Sequence, residues 1–345
     1  MMKPIKKHNI HNQNELISWY HKNKRELPWR TSKNPYLIWI SEVMLQQTTV
    51  TAVIPFYTQF ILRFPDVKTL AQASIEEVYK YWAGLGYYSR ARNLHKAASL
   101  IVADHKGVFP ETAEELIKLP GFGPYTSRAV ASLANNQLVG VLDGNVIRIL
   151  TRKYGLKINW WETKHKDYLQ MISDEIALNS SNDSSSANQA MMELGATICT
   201  PKKTMCLFCP WQKSCASFEK NLVDQIPLKK PKEKHEIWQW TFNIESKNNK
   251  IKLYENLTTP FLKMNWLPES TAKKILHKPK NFDFKHGVTK YDIYVSVNSS
   301  KSTGPKSIKI RSKWVNQNQI SEINPTSLMK KILLQFNEKK DKLKL

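Results

Sequence analysis

From about residue 14 to residue 196 apolar positions recur at helical spacing, and no stretch alternates with the period of a strand. The spacing predicts a run of helices joined by short connections. Asn34 followed by Pro35 marks one helix start, an N-cap and a proline at the first helical position. Ser74 with Glu77, and Thr112 with Glu115, have the spacing of capping boxes, and Gly107 suits a helix C-terminus. The polar run Ser180 to Ser186 reads as an exposed loop. Leu228 to His235 is charged and contains Pro231, which makes it a linker. Beyond it the period changes to two. Trp238, Trp240, Phe242 and Ile244 alternate, as do Tyr291, Ile293, Val295 and Val297. Lys247 to Lys250 closes a hairpin ahead of Ile251 and Leu253, and Leu328, Ile332, Leu333 and Phe336 form a closing helix. The reading is a mainly α fold, with a helical domain over residues 1–227, a linker at 228–234 and a small α+β domain at 235–345.

Charge sharpens this division. The 345 residues hold 52 Lys and Arg against 29 Asp and Glu, a net of +23. Residues 1–225 carry +8, and the last 120 residues carry +15. A basic surface of this size suits a polyanion, although charge alone also serves solubility and does not separate DNA from RNA or an acidic membrane surface. No stretch approaches about 18 consecutive apolar residues, so no membrane span is expected. Met1 to Asn14 lacks the apolar core of a secretory signal, and a cytoplasmic protein is expected, nucleoid-associated if the source is bacterial.

The four cysteines lie together, in the pattern Cys199-x6-Cys206-x2-Cys209-x5-Cys215. A disulfide framework spreads its cysteines through a secreted chain, whereas clustering points to metal. Four thiolates suit zinc or a 4Fe–4S cluster. Zinc sites more often use two Cys-x2-Cys knuckles, and one is present here.

Two further segments carry chemistry. Leu119-Pro-Gly-Phe-Gly-Pro-Tyr-Thr126 is a glycine-rich hairpin between helical stretches. Gly121 and Gly123 permit positive φ and leave backbone N–H groups exposed to a phosphate, though an ordinary helix–helix turn has the same look. Twenty residues after Gly123 stands Asp143, in Leu142-Asp-Gly-Asn-Val146, where an Asp also suits a simple N-cap.

With the cysteines, these segments resemble the helix-hairpin-helix DNA glycosylases. Ser41-Glu-Val-Met-Leu-Gln-Gln-Thr48, Gly84 to His95 and Asn188-Gln-Ala-Met-Met-Glu-Leu-Gly195 narrow the resemblance to the adenine DNA glycosylases, the MutY family, densely over residues 14–220. The resemblance implies a two-part helical domain holding one 4Fe–4S cluster on Cys199, Cys206, Cys209 and Cys215, in the loop 199–215. It implies a monomer acting on double-stranded DNA with A:8-oxoguanine or A:G mispairs, flipping the adenine and hydrolysing its glycosidic bond.

Glu42 sits between Ile38 and Leu45 on one helical face. Desolvation there raises a carboxyl above its ordinary value of about 4.3, as a general acid requires. Asp143 is implied to stay ionised beside the developing sugar cation, helped by a helix N-terminus, with Asn145 orienting it or a water. Tyr125 stands where lyase-competent relatives carry a Schiff-base lysine, and it is expected to hydrogen-bond Asp143 or the flipped nucleotide. Arg30 and Glu193 are implied adenine-pocket residues. Gln47 and Thr48 are implied for the opposite base, and Leu85 and Tyr87 for insertion into the stack. The family's C-terminal domain is Nudix-like. Here its hydrolase box is absent, and its Phe-Ser/Thr-His triplet is replaced by Val288-Thr289-Lys290. Thr289 keeps a hydroxyl for reading 8-oxoguanine, while the charge favours added phosphate contact. The rival readings are an endonuclease III-like glycosylase/lyase on oxidised pyrimidines, which expects Lys at position 125, and a non-catalytic cluster-containing DNA-binding regulator.

Overall fold

The computed structural model describes residues 13–231, 234–263, 265–299 and 311–342. Residues 1–12 of the N-terminal segment and residues 232–233 of the linker lie outside them. The chain divides into two compact units. One comprises Met1–Ala73 with Tyr87–Lys230, the other Ser74–Gly86 with Pro231–Leu345.

The helices up to residue 219 are α1 (Gln13–Asn23), α2 (Pro35–Leu45), α3 (Val50–Arg63), α4 (Val67–Gln72), α5 (Ile75–Trp82, in the second unit), α6 (Tyr88–His105), α7 (Ala113–Leu116), α8 (Pro124–Asn135), α9 (Gly144–Lys153), α10 (Thr163–Leu178), α11 (Ser184–Thr197) and α12 (Ala216–Glu219). Their starts follow local chemistry. Asn34 accepts the Tyr36 N–H at 2.9 Å ahead of Pro35. Ser74 and Thr112 accept from Glu77 and Glu115, as the capping-box spacing predicts. Gly107, at φ +83°, closes α6 by donating to Ile101 O at 2.9 Å.

One expectation holds only in part. Ser180 to Asp183 form a turn with Ser181 and Asn182 exposed, but α11 begins at Ser184, and Ser180, Ser184, Ser185 and Ser186 are buried. Asp183 caps that helix by accepting from Ser186 N, and Ser184 Oγ donates to Gln137 O at 2.7 Å. Small hydroxyl side chains pack inside once each finds a partner, so polarity alone misjudged the segment.

Within the first unit, α1, α9, α10 and α11 bury Leu16, Val146, Leu150, Leu169, Ile172 and Leu194 together. Around α2 sits an aromatic core, where Trp39 stacks on Phe122 of the hairpin at 5.3 Å and meets Phe109 edge-on. Gly121 has φ +81°, and a side chain there would collide with Asn93 on α6 at 2.9 Å. Gly123 departs from expectation. Its φ is −87°, and its missing side chain instead leaves open space at the start of α8.

The second unit carries β1 (Glu236–Ile244), β2 (Ser246–Lys247), β3 (Lys250–Glu255), β4 (Trp266–Leu267), β5 (Glu269–Ile275), β6 (Phe284–Val288), β7 (Tyr291–Ser299) and β8 (Ser312–Asn316), then α13 (Ile320–Ile323) and α14 (Ser327–Lys342). One sheet runs β5-β1-β7-β6, with β1 and β7 parallel. The other runs β2-β3-β4, with β8 paired to β3. Asn248 and Asn249, both at positive φ, make the two-residue turn of the expected hairpin. Trp240, Phe242, Leu253, Val295, Ile332 and Phe336 fill the core, so the alternating pattern and the closing helix are as the sequence predicts.

Candidate active site

Glu42 projects from the last turn of α2 and is 5% exposed. The second residue of α8, which packs against α2, is Tyr125; its Oη donates to Glu42 Oε2 at 2.7 Å and lies 3.2 Å from Met192 Sδ on α11. Burial pushes the Glu42 carboxyl up to about 7, with the Tyr125 hydroxyl opposing, Asp143 adding to the rise and Arg30 opposing it. The apolar face foreseen from Ile38 and Leu45 therefore has its expected effect. Tyr125 contacts Glu42, whereas the sequence placed it on Asp143 or a nucleotide.

Asp143 is the N-cap of α9. Its Oδ1 accepts Val146 N at 2.8 Å and its Oδ2 accepts Asn145 Nδ2 at 2.9 Å. Burial nonetheless pushes Asp143 above its ordinary value, the N–H donors and Arg148 pulling the other way. The helix terminus that was expected to dominate is outweighed by desolvation. Asn145 in turn accepts Arg148 Nη2 at 2.8 Å, and Arg148 donates to the carbonyls of Gly195 and Cys199, each at 2.7 Å. Gly195 is required here, since a Cβ would stand 2.6 Å from that of Asn145. Asn188, buried on the same helix, accepts Val141 N at 3.0 Å and donates to Val139 O at 2.8 Å, which fixes the segment leading into Asp143.

A cavity of about 780 Å³ takes in Glu42, Tyr125, Asp143 and Asn145, and with them Arg30, Glu193, Gln47 and Thr48. The structure thus brings eight of the sequence-predicted residues to one place. Glu193 is fully buried. Arg25 and Arg30 grip it, with Arg25 Nε at 2.6 Å and Arg30 Nη2 at 2.7 Å. Burial would raise its carboxyl, but these two cations hold it below the usual carboxylate range.

The remaining residues lie elsewhere. Gly121 lines a separate small cavity with Arg90 and Asn93. Leu85 is buried, which removes it as an exposed wedge in this structure. Tyr87, 45% exposed and at φ +49°, carries the Arg90 guanidinium 5.4 Å from its ring centroid. Thr289, exposed and at φ +49°, forms with Lys290 the turn between β6 and β7, while Val288 packs toward the core.

All four cysteines are free thiols, part-buried around one apolar-walled cavity that also touches Ile198, Phe218 and Val223. Arg152 Nη1 is 3.4 Å from Cys199 Sγ, and burial pushes the Cys209 thiol up to about 12. Four convergent soft donors with a cation alongside fit a metal group that would draw off the thiol protons. Among the described residues no group of three or more His, Cys, Asp or Glu side chains has the spacing to hold a single metal ion, so the four thiols around this cavity suit a larger group that spans them rather than one ion.

Three residues escaped the sequence reading. Arg90 donates to the carbonyls of Val43, Met44 and Gln46, the C-terminal end of the helix that bears Glu42. Arg148 was within reach, standing three residues after Asn145 on a helix. Arg25 carried no signal, since it meets Glu193 across 168 residues of sequence.

Comparison with known proteins agrees with this geometry. Residues 40–172 match the HhH-GPD superfamily of base excision DNA repair proteins. The adenine DNA glycosylase of Buchnera aphidicola subsp. Acyrthosiphon pisum is 40% identical over 236 residues, 68% of this chain and 67% of the relative. That of Buchnera aphidicola subsp. Baizongia pistaciae is 35% identical over 298 residues, 81% and 83%. A thermostable thymine-DNA glycosylase of known structure is 26% identical with a TM-score of 0.55, over 60% of this chain and 95% of the other. Among the described residues no helix is long and apolar enough to cross a membrane. With a helix-hairpin-helix fold, a buried carboxyl beside a capping Asp, and a relative matched over most of its length, the chain belongs to the adenine DNA glycosylase family.

Proposed function

We propose that the chain is a monofunctional glycosylase that removes adenine mispaired with 8-oxoguanine or guanine in duplex DNA. The observation that carries the reading is the pairing on one cavity of a carboxyl raised to about 7, Glu42, with an N-capping carboxylate, Asp143. The flipped adenosine needs a proton delivered to its base and negative charge held at its sugar. Glu42, near neutrality in its titration, gives its proton to a ring nitrogen as the C1′–N9 bond breaks, and that bond's electron pair leaves with adenine. Asp143 stabilises the oxocarbenium-like sugar, and water adds at C1′, its proton returning to the Glu42 carboxylate, to leave an abasic site. Tyr125 fixes the Glu42 carboxyl, and Asn145 fixes Asp143. Position 125 offers no amine for a Schiff base, which argues against the lyase reading. A non-catalytic regulator gives no reason for a desolvated carboxyl on an open cavity.

Cys199, Cys206, Cys209 and Cys215 would hold one 4Fe–4S cluster. Its contribution is structural, tying the loop that exposes Lys202, Lys203 and Lys213. Residues 1–227 are read as the glycosylase domain and 235–345 as a divergent Nudix-like domain that adds phosphate contacts, with Thr289 at its β6–β7 turn. Tyr87, exposed on a loop, takes the insertion role, and the protein acts as a monomer. The test is base release from duplexes bearing adenine opposite 8-oxoguanine, G, C or T. Release opposite 8-oxoguanine and G, with little opposite C or T, is expected, and release from none of the four would overturn the proposal.

A further inference from the structure

Glu193 is more fully occupied than an acceptor awaiting a base. A carboxylate offers about four lone-pair sites. Four N–H contacts reach them here. Arg25 Nε lies 2.6 Å and Arg25 N 3.3 Å from Oε1, while Arg25 Nη2 lies 3.1 Å and Arg30 Nη2 2.7 Å from Oε2. An adenine amine gains Oε2 only by displacing one of these donors. The two arginines are not equivalent. Arg30 also donates to Arg25 O at 3.0 Å, sits 5.6 Å over the Tyr20 ring and is 15% exposed, whereas the Arg25 side chain is 38% exposed on the same cavity. The longest side-chain contact in the set, Arg25 Nη2 to Oε2, is the one most easily given up.

We propose that Arg25 is a positioning residue for base selection, anchoring Glu193 through Nε while its Nη2–H yields its place on Oε2 to an N–H of the exocyclic amine of an incoming adenine. The ceded donor is replaced only by a base that carries an N–H at C6. A carbonyl there sets lone pair against carboxylate, and a purine with hydrogen at C6 leaves Glu193 with Arg25 and takes nothing from it. The anchor also keeps the carboxylate ionised. The charged or titratable groups acting on it are Arg25, Arg30 from the turn before α2, and Tyr20 from α1. Without Arg25, burial is less opposed, Glu193 protonates more readily as pH falls, and the acceptor is lost.

The inference rests on the adenine-release reading. Its test uses the full chain with Arg25→Gln and Arg25→Lys, on duplexes carrying adenine or unsubstituted purine opposite guanine. Single-turnover base release is followed at pH 6 and pH 8. In Arg25→Gln the adenine-to-purine rate ratio is expected to fall about tenfold at pH 6, the worth of one hydrogen bond to a charged group, and less at pH 8. Arg25→Lys, which keeps the charge, should retain most of the ratio. Arg25→Met, which keeps the stem, replaces Gln if that variant fails to fold. An unchanged ratio, or equal losses on both bases, would overturn the inference while leaving adenine release intact. No release by the unmodified chain would overturn both.

Discussion

Tyr125→Phe deletes one hydroxyl, and its consequence is a shift in pH dependence. The lost contact is the 2.7 Å donation to Glu42 Oε2, which lowers a carboxyl that burial has raised to about 7. A hydrogen bond to a charged group is worth about 1.5–3 kcal/mol, and one pKa unit about 1.4 kcal/mol. Removing the donor therefore raises Glu42 by roughly one to two units. Glu42 acts in its protonated form, so the alkaline limb of the rate profile should move upward. For a one-unit rise, the protonated fraction at pH 8.5 grows about eightfold. The assay is single-turnover adenine release from pH 5 to 10 for both proteins, comparing the position of the limb rather than the plateau. A limb that stays in place, or moves to lower pH, would refute the claim that Glu42 is the acid and Tyr125 its partner.

Three other outcomes follow from the same contacts. Glu42 titrates higher folded than unfolded, so its contribution to stability is present below its unfolded value near 4.5 and is lost as pH rises through about 7. Glu42→Gln should therefore gain about 2 kcal/mol over wild type between pH 5.5 and pH 8 in urea unfolding, and an equal pH dependence would count against the buried acid. Asp143→Asn keeps an N-cap side chain, so it should abolish base release while changing the unfolding free energy by less than about 1 kcal/mol. Cys206→Ser should lower iron and acid-labile sulfide content and weaken DNA binding, and one zinc without sulfide in the wild type would reject the cluster.

The helical caps, the hairpin strands and the Glu42 face were legible because each depends on neighbours within a turn or two of the chain. Asn34, Thr112 and the alternation from Trp238 to Ile244 speak for themselves. Contacts that close over long separations were not. Arg25 meets Glu193, and Arg90 reaches the end of α2 44 to 47 residues away. The environment of Asp143 shows a second limit. Its donors can be read from the capping position, but the burial that outweighs them is a property of the packed cavity. The burial of Ser184 and Ser185 is missed in the same way, since their partners, Gln137 and Leu133, lie on another segment.

The central claim is that Glu42 drives hydrolysis of the adenine glycosidic bond. It is tested most directly by quantifying free adenine, and strand integrity before alkali, from a duplex with adenine opposite 8-oxoguanine. Wild type should release adenine stoichiometrically and leave the strand unbroken, while Glu42→Gln binds the duplex and releases none. Adenine release by Glu42→Gln at a near-normal rate, or strand breakage that borohydride traps on the protein, would contradict the account.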